Sequence, residues 1–102
     1  MYQPVYTKRF EKDVKRAKKR GKNLEKFKRI AHLLILGESL DDKYRDHKLI
    51  GNYQDRRECH IEPDWLLIYK LEGENIINSS LKRIGARLAI QVIFSTFQQQ
   101  LF

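Results

Sequence analysis

The amino-acid sequence predicts an α+β fold: one short strand, a helical hairpin, then an antiparallel sheet. Three observations carry this. Residues 8–35 repeat their apolar side chains at helical spacing. Residues 56–62 alternate apolar and polar side chains, as a strand covered on one face does. The remaining strand-like runs, 65–71 and 76–83, follow at hairpin spacing, so strands cluster after helices rather than alternating with them.

Residues 2–6, YQPVY, read as the first strand, and Pro4 puts it at a sheet edge, where no ladder donor is needed. Thr7 is placed to cap a helix over about 8–20, with Phe10, Val14 and Ala17 as its apolar stripe. Lys18, Lys19 and Arg20 suit the negative end of that helix's dipole, and Gly21 ends it. Asn23 caps a second helix whose face is Leu24, Phe27, Ile30, Ala31 and Leu34, closed by Gly37. The short turn between them makes an antiparallel hairpin. Residues 38–53 read as irregular, with Gly51 and Asn52 marking a turn. In 56–62, Arg57, Cys59 and Ile61 share one face and Glu58, His60 and Glu62 the other. Pro63 and Asp64 turn the chain, WLLIYKL (65–71) is apolar enough for a central strand, and EGEN (72–75) is a hairpin turn. Trp65 and Tyr69 fall on one strand face, where core packing is the default reading and base stacking the alternative.

The 102 residues suit a single domain, able to bury one modest core. One cysteine, Cys59, makes no internal disulfide, so nothing marks an oxidising compartment. No apolar run reaches the ~18 residues of a membrane span, and MYQPVYTKRF carries no signal-peptide pattern. A cytoplasmic protein is expected.

The net charge of +8 is concentrated. Residues 8–29 hold twelve Lys or Arg against three acids, a net +9, while the other eighty residues carry nine against ten, a net −1. Like charges at helical spacing repel, so a one-sided block is costly unless a polyanion or an acidic protein meets it. Lys8, Arg9, Lys12, Lys15, Arg16, Lys19 and Arg20 are the candidate RNA-binding residues. The block's two aromatics, Phe10 and Phe27, fall on apolar faces, which favours backbone electrostatics over base stacking.

His47, His60 and Asp64 fall near the joints of the predicted sheet. Histidine titrates near neutrality, so it can take and give a proton. Cutting RNA through its own 2′-hydroxyl needs a base, an acid for the leaving 5′-oxygen and a cation for the phosphate. His60, His47 and Arg83 are of the types required, and Asp64 is of a type that orients a histidine. Histidines in such places are also common as structural or surface groups. Cys59 faces away from His60 and no short-spaced zinc pattern exists, so neither a metal nor any other cofactor is expected.

The stretch DHKLIGNYQDRRECHIEPDWLLIYKL (46–71) resembles the RelE superfamily of bacterial toxins, in its YafQ-like branch. The branch pattern D-H-x-L-x-G, then R-[DE]-x-H-[IV]-x-P-D-W-[IL]-L-[IV]-Y, is matched at Asp46-His47, Leu49, Gly51, Arg57-Glu58, His60-Ile61, Pro63-Asp64-Trp65, Leu67 and Tyr69. The resemblance runs over about 2–85. It implies a RelE/ParE-like, microbial-ribonuclease-like fold and an mRNA interferase cutting in the ribosomal A site. It also implies a cognate acidic antitoxin, RelB/DinJ-like and partly disordered, that folds on binding and reaches operator DNA with the toxin. It places His47, His60, Asp64 and Arg83 in the active site and turns the basic helices toward ribosomal RNA.

The branch closes with R-T-G-[ST]-H-x-x-L-F, whose histidine is a principal catalytic residue. Here the chain reads Arg83-Ile84-Gly85-Ala86-Arg87, so Arg87 stands at the histidine's place. Always protonated, it is no ordinary acid or base, though it can meet phosphate charge. Residues 86–102 form an atypical tail with alternating Leu88, Ile90, Val92 and Phe94. It reads either as an added element or as the product of a drifted reading frame. Activity is therefore expected to be weakened or lost. The alternative is a catalytically inactive or gyrase-directed protein of the RelE/ParE fold that acts through antitoxin and operator binding. The His60 and Asp64 pair, which gyrase-directed relatives lack, favours the nuclease.

Overall fold

A computed structural model describes residues 1–49 and 55–84 of the chain. The elements are β1 (Gln3–Tyr6), α1 (Lys8–Lys19), α2 (Leu24–Ile35), a 3₁₀ turn (Asp42–Tyr44), β2 (His47–Lys48), β3 (Arg57–Glu62), β4 (Trp65–Glu72) and β5 (Asn75–Arg83). They build one five-stranded sheet in the order β1-β5-β4-β3-β2. The helical hairpin covers one face of it.

The helix ends follow the residues expected to make them. The Thr7 hydroxyl accepts Phe10 N–H at 3.0 Å and donates to the Ser79 carbonyl at 2.8 Å, capping α1 and tying its start to β5. The Asn23 side chain accepts Glu25 N–H at 3.0 Å. Gly21 and Gly37 sit at φ +74° and +75°, just past α1 and α2. Lys22 N–H returns to Ala17 O, and Glu38 N–H to Leu33 O, each at 3.0 Å, the bonds of a Schellman ending.

The helices bury Phe10 and Ala17 from α1, and Phe27, Ile30 and Leu34 from α2, against Cys59, Ile61, Trp65, Leu67, Tyr69, Ile76 and Leu81. Phe10 and Phe27, 5.4 Å apart at their ring centres, join the two helices. Trp65 and Tyr69 are core residues, buried with the rest. α1 is turned slightly from its expected stripe: Val14 is half-buried, while Asp13 is buried with its Oδ2 on Leu81 N–H at 3.0 Å.

Two features depart from the expected arrangement. Residues 38–53 are not wholly irregular: Asp42–Tyr44 is a 3₁₀ turn and His47–Lys48 a strand. Two residues are too few to show alternation, and this strand exists because β3 offers a free edge. β1 joins the otherwise antiparallel sheet parallel to β5, with Val5 opposite Ile77. A four-residue edge strand carries no pattern that sets its direction. The α1α2 crossover does so, by returning β1 beside the last strand.

Candidate active site

The face of the sheet opposite the helices carries the histidines. Paired residues on neighbouring strands share a face. His47 lies opposite Glu58, and His60 opposite Leu66, which lies opposite Lys82. His47, Glu58, His60 and Lys82 therefore point to the same side. The two imidazoles lie 6.4 Å apart at their centres, with planes inclined by 26°.

Hydrogen bonds assign the protons. A carbonyl oxygen can only accept, so the His60 ring nitrogen Nδ1, 3.3 Å from the Pro63 carbonyl, is the one that donates. In the neutral ring this leaves Nε2 with a lone pair, and among the described residues nothing bonds it. Burial to 6 % exposure lowers the His60 pKa; the Pro63 bond and Glu58 oppose the shift, while His47 and Arg45 add to it. His60 is thus held toward the neutral form, whose Nε2 carries the lone pair. His47 differs. Its Nδ1 donates to the Arg45 carbonyl, and its Nε2 lies 3.2 Å from Glu58 Oε2. The Glu58 carboxylate is placed beside the His47 nitrogen that the Arg45 carbonyl leaves free. One face thus holds two imidazoles, one with an open Nε2 and one beside a carboxylate, which are group types that proton transfer uses.

The other expected site residues are spread more widely. The Asp64 carboxylate is 3.7 Å from Lys22 Nζ, and the Asp64 carbonyl accepts Ile84 N–H at 2.9 Å. Among the described residues, no hydrogen bond or ion pair joins it to a histidine. Glu58 is the carboxylate that meets one. Its position two residues before His60, on the same strand face, was legible, but its pairing with His47 needed the register. Arg83 lies opposite Trp65, on the helix side of the sheet. With Arg9, Arg16, Arg20 and Trp65 it lines a cleft of about 200 Å³. Arg87 lies outside the described residues. Lys8, Arg9, Lys12, Lys15, Arg16, Lys19 and Arg20 are all exposed along α1 and its C-terminal cap. Among the described residues, no three His, Cys, Asp or Glu converge as metal ligands would. Cys59 is buried in the core, which pushes its thiol pKa up and leaves it unreactive.

A sequence-family model described as a bacterial toxin of type II toxin-antitoxin systems, YafQ, matches residues 2–90. The chain belongs to the YafQ toxin family. It is 46 % identical over 86 residues to the mRNA interferase toxin YafQ of Escherichia coli K12, covering 83 % of this chain and 90 % of that one. The YafQ structure in the E. coli DinJ-YafQ complex superposes with a TM-score of 0.76 at 37 % identity, over 81 % of this chain and 93 % of that one. A metal-bound toxin from Helicobacter pylori superposes at 0.77 with 33 % identity, over 81 % of this chain and 94 % of that one. YafQ likeness thus spans the sheet, both helices and the histidine face. Among the described residues, no helix is long and apolar enough to cross a membrane.

Proposed function

We propose that this protein is the toxin of a type II toxin-antitoxin pair and cuts mRNA on the ribosome by acid-base catalysis. The observation that carries the reading is the His47–His60 pair, 6.4 Å apart on one face, with His60 Nε2 open and His47 Nε2 beside Glu58. His60 Nε2 takes the proton of the 2′-hydroxyl as its oxygen attacks the neighbouring phosphorus. The bond to the 5′-oxygen breaks, and that oxygen takes a proton from His47 Nε2, which lies 3.2 Å from Glu58 Oε2. The products are a 2′,3′-cyclic phosphate and a free 5′-hydroxyl. Lys82, on the histidine face, meets the charge of the pentavalent phosphate, while Arg83, on the helix side, joins the basic cleft that meets RNA phosphates farther along the strand. Asp64 acts through the turn that carries the Pro63 carbonyl, since its carboxylate is held by Lys22. Arg87, where a histidine stands in the branch pattern, supplies charge but no proton exchange, so cleavage is slower than in relatives that keep the histidine.

The exposed cations of α1 hold ribosomal RNA through its phosphates. An acidic antitoxin of the DinJ kind is the natural neutralising partner, binding operator DNA together with the toxin. The cytoplasm, where ribosomes and such partners are found, is the proposed location. A second reading, a protein that binds antitoxin but no longer cuts, is favoured by Arg87 alone.

The deciding experiment is primer extension on a defined mRNA in a purified translation system, with the natural chain, His60→Ala and Arg87→His. Cleavage at A-site codons that His60→Ala lowers by about 10²–10⁴-fold supports the nuclease. Cleavage only with Arg87→His identifies a nuclease disabled at that position. No cleavage by any folded, ribosome-bound form leaves the binding protein.

A further inference from the structure

We propose that Asp46, Tyr69 and Arg57 form a clamp that positions His47 for proton transfer. The proposal rests on reading His47 and His60 as an acid-base pair. β2 is only His47 and Lys48, at the sheet's outer edge, so its ladder alone is a weak support for a catalytic ring. What precedes it is strained: Arg45 is the one non-glycine residue at positive φ, +48°, among those described. Its carbonyl is the acceptor for His47 Nδ1. A residue in that conformation persists where its surroundings over-determine it.

The residue between the two supplies that. Asp46 Oδ1 accepts the Tyr69 hydroxyl at 2.6 Å and Arg57 Nε–H at 3.2 Å, and Arg57 Nε also lies 3.2 Å from the Tyr69 oxygen. Tyr69 is 1 % exposed and rooted in the core of β4. Register places Lys48, Arg57 and Tyr69 in one row across β2, β3 and β4, and Asp46 closes the row back onto Tyr69. The clamp therefore anchors the residue before His47 to a fully buried position of the central strand β4. Burial and the Asp46 carboxylate together push the Tyr69 pKa up, so its hydroxyl stays a donor. Arg57 stays charged: burial opposes its charge, but the bonds to Tyr69 and Asp46 outweigh it.

A buried tyrosine needs a partner for its hydroxyl whatever its role, so the test must separate support of the fold from support of the ring. Tyr69→Phe keeps the ring and the core volume and deletes only the donor. We would record the ring NMR signals of His47 and His60 through a pH titration, and single-turnover mRNA cleavage on the ribosome. The expected result is a displaced His47 titration, an unmoved His60 titration, and kcat lower by on the order of ten- to a hundredfold with KM unchanged. If Tyr69→Phe does not fold, Arg57→Lys, which keeps the charge and loses the planar fork, is read the same way. A folded variant whose His47 titration and cleavage rate both match the natural chain overturns the proposal, even if it melts earlier. If the natural chain cuts nothing, the rate is read in the Arg87→His background, and no cleavage there either is a failure of the nuclease reading by itself. The His47 titration still decides whether the clamp positions the ring.

Discussion

The two faces of the sheet are made from alternate residues of the same strands, yet they use polar groups in opposite ways. On the helix side the carboxylates of Asp13 and Asp46 are spent. Asp13 holds Leu81 N–H and Arg9, and Asp46 holds Tyr69 and Arg57. On the other side the His60 ring, as buried as Asp13, uses one nitrogen and, among the described residues, keeps the other open. A buried polar group with every bond made is structure; a buried polar group with spare valence is available for chemistry. This is why Asp13, though withdrawn from water, and the half-buried Asp46 are not proposed as proton carriers, and why His60 is.

The largest expected effect breaks the open side. His60→Gln keeps a polar side chain of similar reach and removes the titratable ring. It should lower A-site cleavage by about 10²–10⁴-fold while leaving the denaturation midpoint at pH 7.5 nearly in place. Primer extension and a urea titration measure the two halves. A comparable loss of both would place His60 with the structural groups. The helix side should break the other way. Asp13→Ala strands Leu81 N–H in a buried strand and should cost about 1–3 kcal/mol. Cleavage per folded molecule should stay unchanged, as urea unfolding and an active-fraction correction would show.

Much of this contrast was open to inspection in the sequence, because it depends on local rules. Thr7, Gly21, Asn23 and Gly37 announce the helix ends by capping chemistry that operates within a few residues. Alternation in 56–62 is enough by itself to put Cys59 and His60 on opposite faces of the sheet. What could not be read depends on register and distance along the chain. Asp46 meets Tyr69 across 23 positions. Glu58 meets His47 only because β2 pairs where it does, and Asp64 turns to Lys22 because the helical hairpin ends above that turn. Arg83 falls on the helix side because β5 pairs Arg83, not Lys82, with Trp65. The motif around His60 was thus legible as a motif, while the bonds that divide its members into acid, base and support were not.

A smaller effect sharpens the contrast through pH. The folded-state pKa of His60 lies below its unfolded value, so the unfolded chain binds the extra proton first as pH falls. Stability from this group is complete above about pH 6.5, the unfolded value, and is lost as pH drops through the folded one. Urea midpoints at pH 7.5 and 5 should show the natural chain losing more than His60→Gln over that interval. Equal losses would mean that His60 is solvated in the native state, and that its spare nitrogen is ordinary.

The smallest effects lie in the ion pairs at the hairpin, which test whether either face depends on surface charge. Lys28 and Glu25 pair within α2 at 3.1 Å, with both side chains about two-thirds exposed (66 % each). Water and salt screen such a pair, and Glu25→Gln should change stability by less than about 0.5 kcal/mol. Lys22 is placed differently. It joins the end of the helical hairpin to Glu62 at 2.9 Å and Asp64 at 3.7 Å, and sits over the Trp65 ring. The bonds from Lys22 and then Lys26 hold the Glu62 pKa down. Lys22→Met keeps most of the stem that packs on Trp65 and removes the charge. It should cost up to about 1 kcal/mol, the upper end for a partly exposed pair. It should also release Asp64 from the only ion pair it makes among the described residues. If cleavage changes more than stability does, Asp64 reaches the histidine face through its turn, and Lys22 links the two sides. If both change only slightly, the faces are independent, and the division between spent and open polar groups holds at this end of the sheet as well.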